Sequence, residues 1–257
     1  MKISGIVLAR NAQELIKDCF ESIDWLDEIV LVDTGSSDKT VEIAKNFGAK
    51  IIKSSSGNFS DWRNLGAEKA GGEWLLYIDT DERVTPLLKK EIEKVVKAGT
   101  YSAYAIPRRN ILLGHEMSWG GWWPDYVLRL IKKDSLISWE GKLHEQPRLK
   151  GQIGKLKNPL IHISHRTLSE MVDKTNDWSA VEAKLLYESN HPKVTWWRFI
   201  SVASREFWSR GIIKLGFLDG AVGVIEIIYQ MFSRMITYAK LWELQRKANN
   251  SNLKSIT

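Results

Sequence analysis

The sequence predicts an α/β protein: an open, parallel sheet with helices on both faces, then a mixed or antiparallel half, then a helical C-terminal extension. Three observations predict this. Short apolar runs at 3–8, 28–32, 50–53 and 74–78 alternate with segments of helical spacing. That pattern builds a parallel sheet through right-handed crossovers. Beyond residue 100 the segments become short and alternating, at 102–107, 126–131 and 160–163. From Leu168 onward apolar residues again recur at helical spacing.

Each early element has a local reason. The run 3–8 is too short for a signal peptide and is followed by Arg10-Asn11 with no small-residue cleavage site, so a first buried strand is expected. Within 13–23, Leu15, Ile16, Cys19, Phe20 and Ile23 fall on one helical face. The second run ends at Asp33, and Thr34-Gly35-Ser36-Ser37-Asp38 reads as a turn with a helix N-cap at Ser37 or Asp38. Val41, Ile43, Ala44 and Phe47 continue as a helix that Gly48 stops. A strand at 50–53, a helix at 60–70 closed by Gly71-Gly72, a strand at 74–78 and a helix at 87–97 after Thr85-Pro86 complete this half.

The 257 residues, 44% hydrophobic and 26% charged, suit one large globular domain or one domain with an appendage. A single cysteine, Cys19, excludes a disulfide framework and fits a reducing cytoplasm. No uncharged apolar run is long enough to predict a membrane-spanning helix. The net charge of +6 is uneven: from Lys193 to the end there are 10 Lys/Arg against 4 Asp/Glu, so the first 192 residues are balanced. Such asymmetry points to an acidic partner surface, anionic lipid or nucleic acid, and no nucleic-acid motif is visible.

In an open α/β sheet, ligands bind beyond the carboxyl ends of the strands. Here those ends carry Ala9-Arg10-Asn11, Asp33 and Asp79-Thr80-Asp81-Glu82. Carboxylates at i and i+2 repel one another unless a cation lies near them. Mg²⁺ or Mn²⁺ suits such a place, because both take carboxylate and phosphate oxygens. Spacing alone leaves a metal site and a solvated acidic turn equally open.

Taken together, residues 3–11, Val32-Asp33-Thr34-Gly35-Ser36-Ser37-Asp38-Lys39-Thr40, Arg63-Asn64 and the DxD motif Asp79-Thr80-Asp81 resemble the nucleotide-sugar-binding half of family 2 glycosyltransferases of the GT-A fold. The likeness is nearest to lipopolysaccharide core enzymes, the inner-core β-glucosyltransferases that add glucose to heptose. It extends to Trp122-Trp123-Pro124-Asp125-Tyr126, Arg129-Leu130, Gly141-Lys142-Leu143-His144-Glu145 and Gly216-Phe217-Leu218-Asp219-Gly220.

The resemblance implies a GT-A catalytic domain, a Rossmann-like nucleotide-diphospho-sugar transferase fold, over 1–167. Residues 1–100 would bind the nucleotide sugar, 101–167 would form the acceptor and catalytic half, and 168–257 would be a basic amphipathic extension. It implies an inverting, metal-dependent transfer of a hexose, glucose from a UDP-linked donor, to a glycolipid or lipopolysaccharide-core acceptor. Ala9 and Arg10 would line the base pocket, and Asp33 would bind base or ribose. Arg63 would reach the nucleotide or its diphosphate; a surface helix arginine is the plainer alternative. Asp81 would be the direct metal ligand, Asp79 a supporting metal residue that faces the ribose or a metal-bound water, and Thr80 part of the nucleotide-sugar site. Glu145 would be the base, with His144 positioning it or touching phosphate; a structural Glu-His pair in a loop is the alternative. His162 or His165 would complete the metal site, unless either is an ordinary core histidine. Trp122, Trp123, Asp125 and Arg129 would wall the acceptor or sugar, although several of the 12 tryptophans must be core.

The C-terminal segments 196–208 and 211–244 are apolar but interrupted by charge, as in helices that lie on a membrane surface. This predicts a peripheral association with anionic lipid at the inner face of the cytoplasmic membrane. A helical cap on the catalytic domain, or a homo-oligomer interface, would use the same pattern. Two other functions fit parts of the sequence. A sugar-phosphate nucleotidyltransferase would need a Gly-rich loop after the first strand, which Leu8-Ala9-Arg10-Asn11 lacks. A membrane- or nucleic-acid-binding module with an inactive site would have no reason to keep Asp33, Arg63, Asp79, Asp81 and Glu145 together.

Overall fold

A computed structural model describes residues 1–141 and 145–254. The chain forms two compact units, Met1–Asn110 with Pro124–Ile163, and Ile111–Trp123 with Ser164–Thr257. The elements run β1 (Ile3–Ala9), α1 (Ile16–Glu21), β2 (Glu28–Asp33), α2 (Thr40–Asn46), β3 (Lys50–Lys53), α3 (Phe59–Lys69), β4 (Trp74–Asp79), β5 (Glu82–Val84) and α4 (Pro86–Ala98). There follow β6 (Ala103–Leu112), β7 (His115–Glu116), β8 (Asp125–Lys132), β9 (Leu136–Glu140), β10 (Gln146–Leu149), β11 (Ile153–Lys155) and β12 (Leu160–His165). The helices α5 (Leu168–Glu188), α6 (Trp196–Glu206) and α7 (Gly220–Lys254) close the chain.

The first unit is built on a mixed sheet of order β3-β2-β1-β4-β8-β6-β12-β5. Strands β1 to β4 are parallel. Strand β8 runs antiparallel to both β4 and β6, and β5 antiparallel to β12. Strand β1 lies between β2 and β4, so the order reverses at β1. A reversal of this kind opens a crevice at the carboxyl ends of the two central strands.

The continuous apolar runs have a direct cause: both sheet faces are buried. Successive side chains of a strand point to opposite faces. On β4, Trp74, Leu76 and Ile78 enter one core with Val7, Phe20 and Leu88, while Leu75 and Tyr77 enter the other with Ile6, Ala67 and Trp139. A strand apolar on both sides has no polar alternation to show, as is usual for a covered parallel sheet.

The helix ends follow the sequence closely. Asn58 caps α3 by accepting from Ser60 and Asp61 N–H, and Asp61 returns a bond to the Asn58 N–H, a complete capping box. Thr85 caps α4 with Pro86 in the first turn, and Gly99 ends it in a left-handed conformation at φ 61°. Two expected boundaries shift. Helix α1 is shorter than 13–23, because turns at Ala12 and Ser22 take its end groups. Helix α2 begins at Thr40; Asp38 still supports it, accepting from the Thr40 N–H at 3.0 Å.

In the second unit, Leu112, Met117 and Met171 pack with Trp122, Val222 and Tyr229, and Ala183, Val194, Val202, Tyr238 and Leu241 form a further cluster. The expected helix over 211–244 is broken at its start. A π-helical turn at Phe207–Ile213 and a 3-10 turn at Gly216–Asp219 precede α7. Gly216 approaches so closely that a Cβ would lie 2.8 Å from the Arg210 carbonyl oxygen. Asp219 accepts N–H bonds from Ser118 and Trp119, which ties the 118–119 loop to this turn. Among the described residues, no helix is long and apolar enough to cross a membrane.

Candidate functional site

The carboxyl ends of β1, β2 and β4 share one rim of the first unit. Two loops there are stitched together. The Ala9 carbonyl accepts from the Thr34 N–H at 2.9 Å. Asn11, held at φ 50°, accepts from the Ser37 N–H at 2.8 Å, and its own N–H donates to Ser36 Oγ at 3.0 Å. Asp33 is buried and accepts from the Ser36 N–H at 3.0 Å. Arg10 is exposed on this rim and Ala9 is buried beneath it.

At the end of β4, Asp79 is gripped by two arginines. Its Oδ1 lies 3.1 Å from Arg63 Nη2, and its Oδ2 accepts from Arg129 Nη2. Burial works to raise the Asp79 carboxyl, but the Arg129 and Arg63 guanidiniums outweigh it and hold the group well below the usual carboxylate range. Arg129 also meets Glu82 at 2.6 Å, and Glu82 in turn accepts from the Asp79 N–H at 3.0 Å. Beneath the same strand end, the buried Cys19 thiol donates to the Asp79 carbonyl oxygen at 3.6 Å. Burial pushes that thiol far up. The Thr80 carbonyl accepts from Arg83 Nη1 at 2.7 Å, fixing the turn between the two acids.

Arg63 arrives from α3. A Cβ on Gly66, one turn along, would lie 2.5 Å from Ile6 Cγ2, so glycine is what lets this helix settle on β1. The guanidinium of Arg63 stacks over the Trp139 ring at 4.9 Å and places Nε 3.1 Å from Glu145 Oε1. One buried cation thus joins Asp79 to Glu145.

Asp81 has different company. Its Oδ2 lies 3.5 Å from His162 Nε2, while Oδ1 is buried with no hydrogen-bond partner. His162 Nδ1 is 2.6 Å from Asn110 Oδ1, and Asn110 Nδ2 donates to Asp125 Oδ2 at 3.2 Å. Because the Asn110 amide nitrogen is turned to Asp125, its oxygen accepts from the His162 Nδ1–H. Nε2 then faces the Asp81 carboxylate, whose other oxygen is unsatisfied, and a carboxylate beside an imidazole is a donor set that would suit Mn²⁺ or Mg²⁺. Among the described residues, no three His, Cys, Asp or Glu side chains gather to form a metal cage by themselves.

Not every predicted residue joins this group. His144 lies outside the described residues. Trp122 and Trp123 belong to the second unit, where Trp122 packs with Leu112 and Met171. His165 is there too, its ring edge-on to Tyr229. Arg129, expected in an acceptor or sugar wall, is instead buried between Asp79 and Glu82, because two carboxylates in a covered sheet need a cation. Asp125 is turned to Arg108, whose Nη2 is 2.6 Å away. Arg63, expected on the donor, is likewise buried with its Nε and Nη2 engaged by protein carboxylates. Three contributors escaped the sequence reading. Glu82 was visible only as the last member of an acidic run, and Arg108 and Asn110 only as polar residues inside a strand.

The fold with this rim is that of the GT-A glycosyltransferases, a class that the crystal structure of S. aureus TarS in complex with UDP-GlcNAc also represents: it overlays with a TM-score of 0.50 at 15% identity, covering 96% of this chain and 92% of that one. The chain belongs to glycosyl transferase family 2, whose sequence pattern matches residues 4–148. An uncharacterised glycosyltransferase of Rickettsia typhi is 27% identical over 97% of this chain and 89% of its own length. The lipopolysaccharide core biosynthesis glycosyltransferase LpsC of Rhizobium meliloti is 24% identical over 74% and 73%.

Proposed function

We propose that this family 2 glycosyltransferase moves a hexose, glucose in our reading, from a UDP-linked donor to a lipopolysaccharide-core type glycolipid, with inversion. The observation that carries the reading is the pairing of Glu145 with Asp79 through Arg63, beside an Asp81 carboxylate that has an unsatisfied buried oxygen. The kinship with LpsC supports the acceptor class.

In this reading Glu145 is the base. It takes the proton of the acceptor hydroxyl as the new bond from that oxygen to the anomeric carbon forms. The bond from that carbon to the diphosphate oxygen breaks, and the nucleoside diphosphate leaves from the opposite face. Arg63 aims Glu145 through its Nε contact at 3.1 Å, and Asp33 with the stitched β1 and β2 loops receives base and ribose. Asp81 and His162 would hold Mg²⁺ or Mn²⁺, which neutralises charge on the departing diphosphate. Asp79, already held by two arginines, serves as the anchor of the site rather than as a metal ligand.

The test is a donor-hydrolysis and transfer screen over UDP-glucose, UDP-GlcNAc, GDP- and ADP-sugars, with Mg²⁺, Mn²⁺ or EDTA. UDP-glucose with a divalent ion should be turned over, and EDTA should abolish it. Failure to bind or hydrolyse any donor with any metal would overturn the reading. Glu145→Gln should keep donor binding and lose transfer by at least about 100-fold, the usual worth of a general base.

A further inference from the structure

The sequence of α6 places aromatic residues where a soluble helix carries polar ones. Val202 is buried against the second unit's core with Tyr238 and Leu241. The opposite side is exposed and carries Trp196, Trp197, Ile200, Phe207 and Trp208, with Ser204 as a small polar residue among them and Trp196 72% exposed. At about 100° per residue these five positions span roughly a third of the helix circumference. The helix keeps its backbone conformation through Glu206 and Phe207 into the π-helical turn, so the face is continuous. Ile213, 67% exposed, follows at the end of that turn.

The charge beside this face is predominantly basic. Between Lys193 and Leu218 stand five basic residues and a single acid, Glu206. Glu206 is already paired with Arg210 at 3.1 Å and approached by Arg234 at 3.5 Å. Arg198 and Arg205 lie together beyond the Trp208 edge of the aromatic face on the same helical projection. Tryptophan and phenylalanine bordered by arginine match the boundary between headgroups and acyl chains, where the rings lie in the apolar edge and guanidiniums meet phosphate. A soluble partner would need acid and apolar surface in register, whereas an anionic bilayer offers both everywhere.

We propose that the face formed by α6 and the π-helical turn is a docking surface for anionic phospholipid bilayers, on which the helix lies flat. No described helix can cross a membrane, so attachment would be peripheral. The proposal concerns the second unit and does not depend on the donor or acceptor assigned above.

The experiment is co-sedimentation of the full chain with vesicles of phosphatidylcholine alone or mixed equally with phosphatidylglycerol, at low and high salt. Binding to the mixed vesicles should exceed binding to phosphatidylcholine by at least about tenfold and should fall with salt. Arg198→Gln with Arg205→Gln should weaken it roughly 30-fold, at about 1 kcal/mol per arginine. Trp197→Ser with Trp208→Ser should abolish sedimentation at both salt levels. Trp197, Arg205 and Trp208 are exposed and Arg198 is half-buried, so intact folding is checked by circular dichroism and by unchanged donor hydrolysis in solution. Absence of binding to phosphatidylglycerol vesicles at low salt would overturn the proposal. So would unchanged binding by the tryptophan variant, or a dimer in sedimentation velocity that this variant converts to monomer, which would make the face a contact between copies.

Discussion

Arg63 and Glu145, 82 positions apart, meet through an Nε to Oε1 contact of 3.1 Å, and the same guanidinium holds Asp79. A buried cation serving two acids is costly to remove, because both carboxylates lose their partner. Arg63→Ala should destabilise the chain by about 3 kcal/mol, roughly 10 °C in Tm. Arg63→Lys should melt closer to the parent yet lose transfer activity, since an ammonium has no fork to hold two acids at fixed angles. Full turnover by Arg63→Lys would show that Glu145 is not positioned this way. Thermal melts and single-turnover transfer separate the two effects.

The two acids of the strand end should part company under mutation. Asp79→Ala strips Arg63 and Arg129 of a shared partner and should cost a few kcal/mol of stability. Asp81→Ala removes an oxygen with nothing to satisfy it and should leave Tm within about 2 °C. Titration calorimetry of UDP with Mn²⁺ should then lose its metal dependence in the Asp81 variant. Equal melting losses in both variants would contradict this division.

Gly66 is a packing requirement with a functional consequence. Alanine there would meet Ile6 Cγ2, a branched side chain with little freedom to turn aside. Helix α3 must lift from β1, so Gly66→Ala should destabilise by about 1–3 kcal/mol despite alanine's better helix propensity. The shift also moves Arg63, and transfer should fall more than the melt alone accounts for.

Glu226 gives the second unit a pH dependence. Burial pushes its carboxyl up to about 7, against opposing pulls from Gln230, Arg210 and Trp122. The folded form therefore holds the proton more tightly than the unfolded one, so the stability it contributes is present at low pH and is lost as pH rises from about 4.5 to about 7. Glu226→Gln should raise Tm by on the order of 5 °C at pH 8 and change little at pH 4.5. An equal gain at both values would rule out the buried charge as the cause.

The legible part of the fold was the part with a simple periodicity. Strands β1 and β4 announce themselves because both faces are covered, and α3 and α4 because their caps lie in the sequence. Strands β5, β7, β9, β10 and β11, of two to five residues, carry too few positions to show a pattern. The break before α7 was hidden because its cause is tertiary: Gly216 is needed for close approach and Asp219 for two distant N–H groups. Within the site, the acids at the strand ends were readable as acids. Their partners were not. Arg129 reads equally well as a sugar contact or as a counter-ion, and only burial between Asp79 and Glu82 decides. Nothing local in Asn110 indicates that it orients His162.

The lone cysteine supplies a native clock for the rim. Cys19 is fully buried and hydrogen-bonded to the Asp79 carbonyl, with ionisation of its thiol suppressed by burial. A thiol reagent can reach it only when this corner of the sheet opens. The rate of alkylation thus times that breathing with no probe to engineer, and a bound donor that steadies the rim would slow the clock.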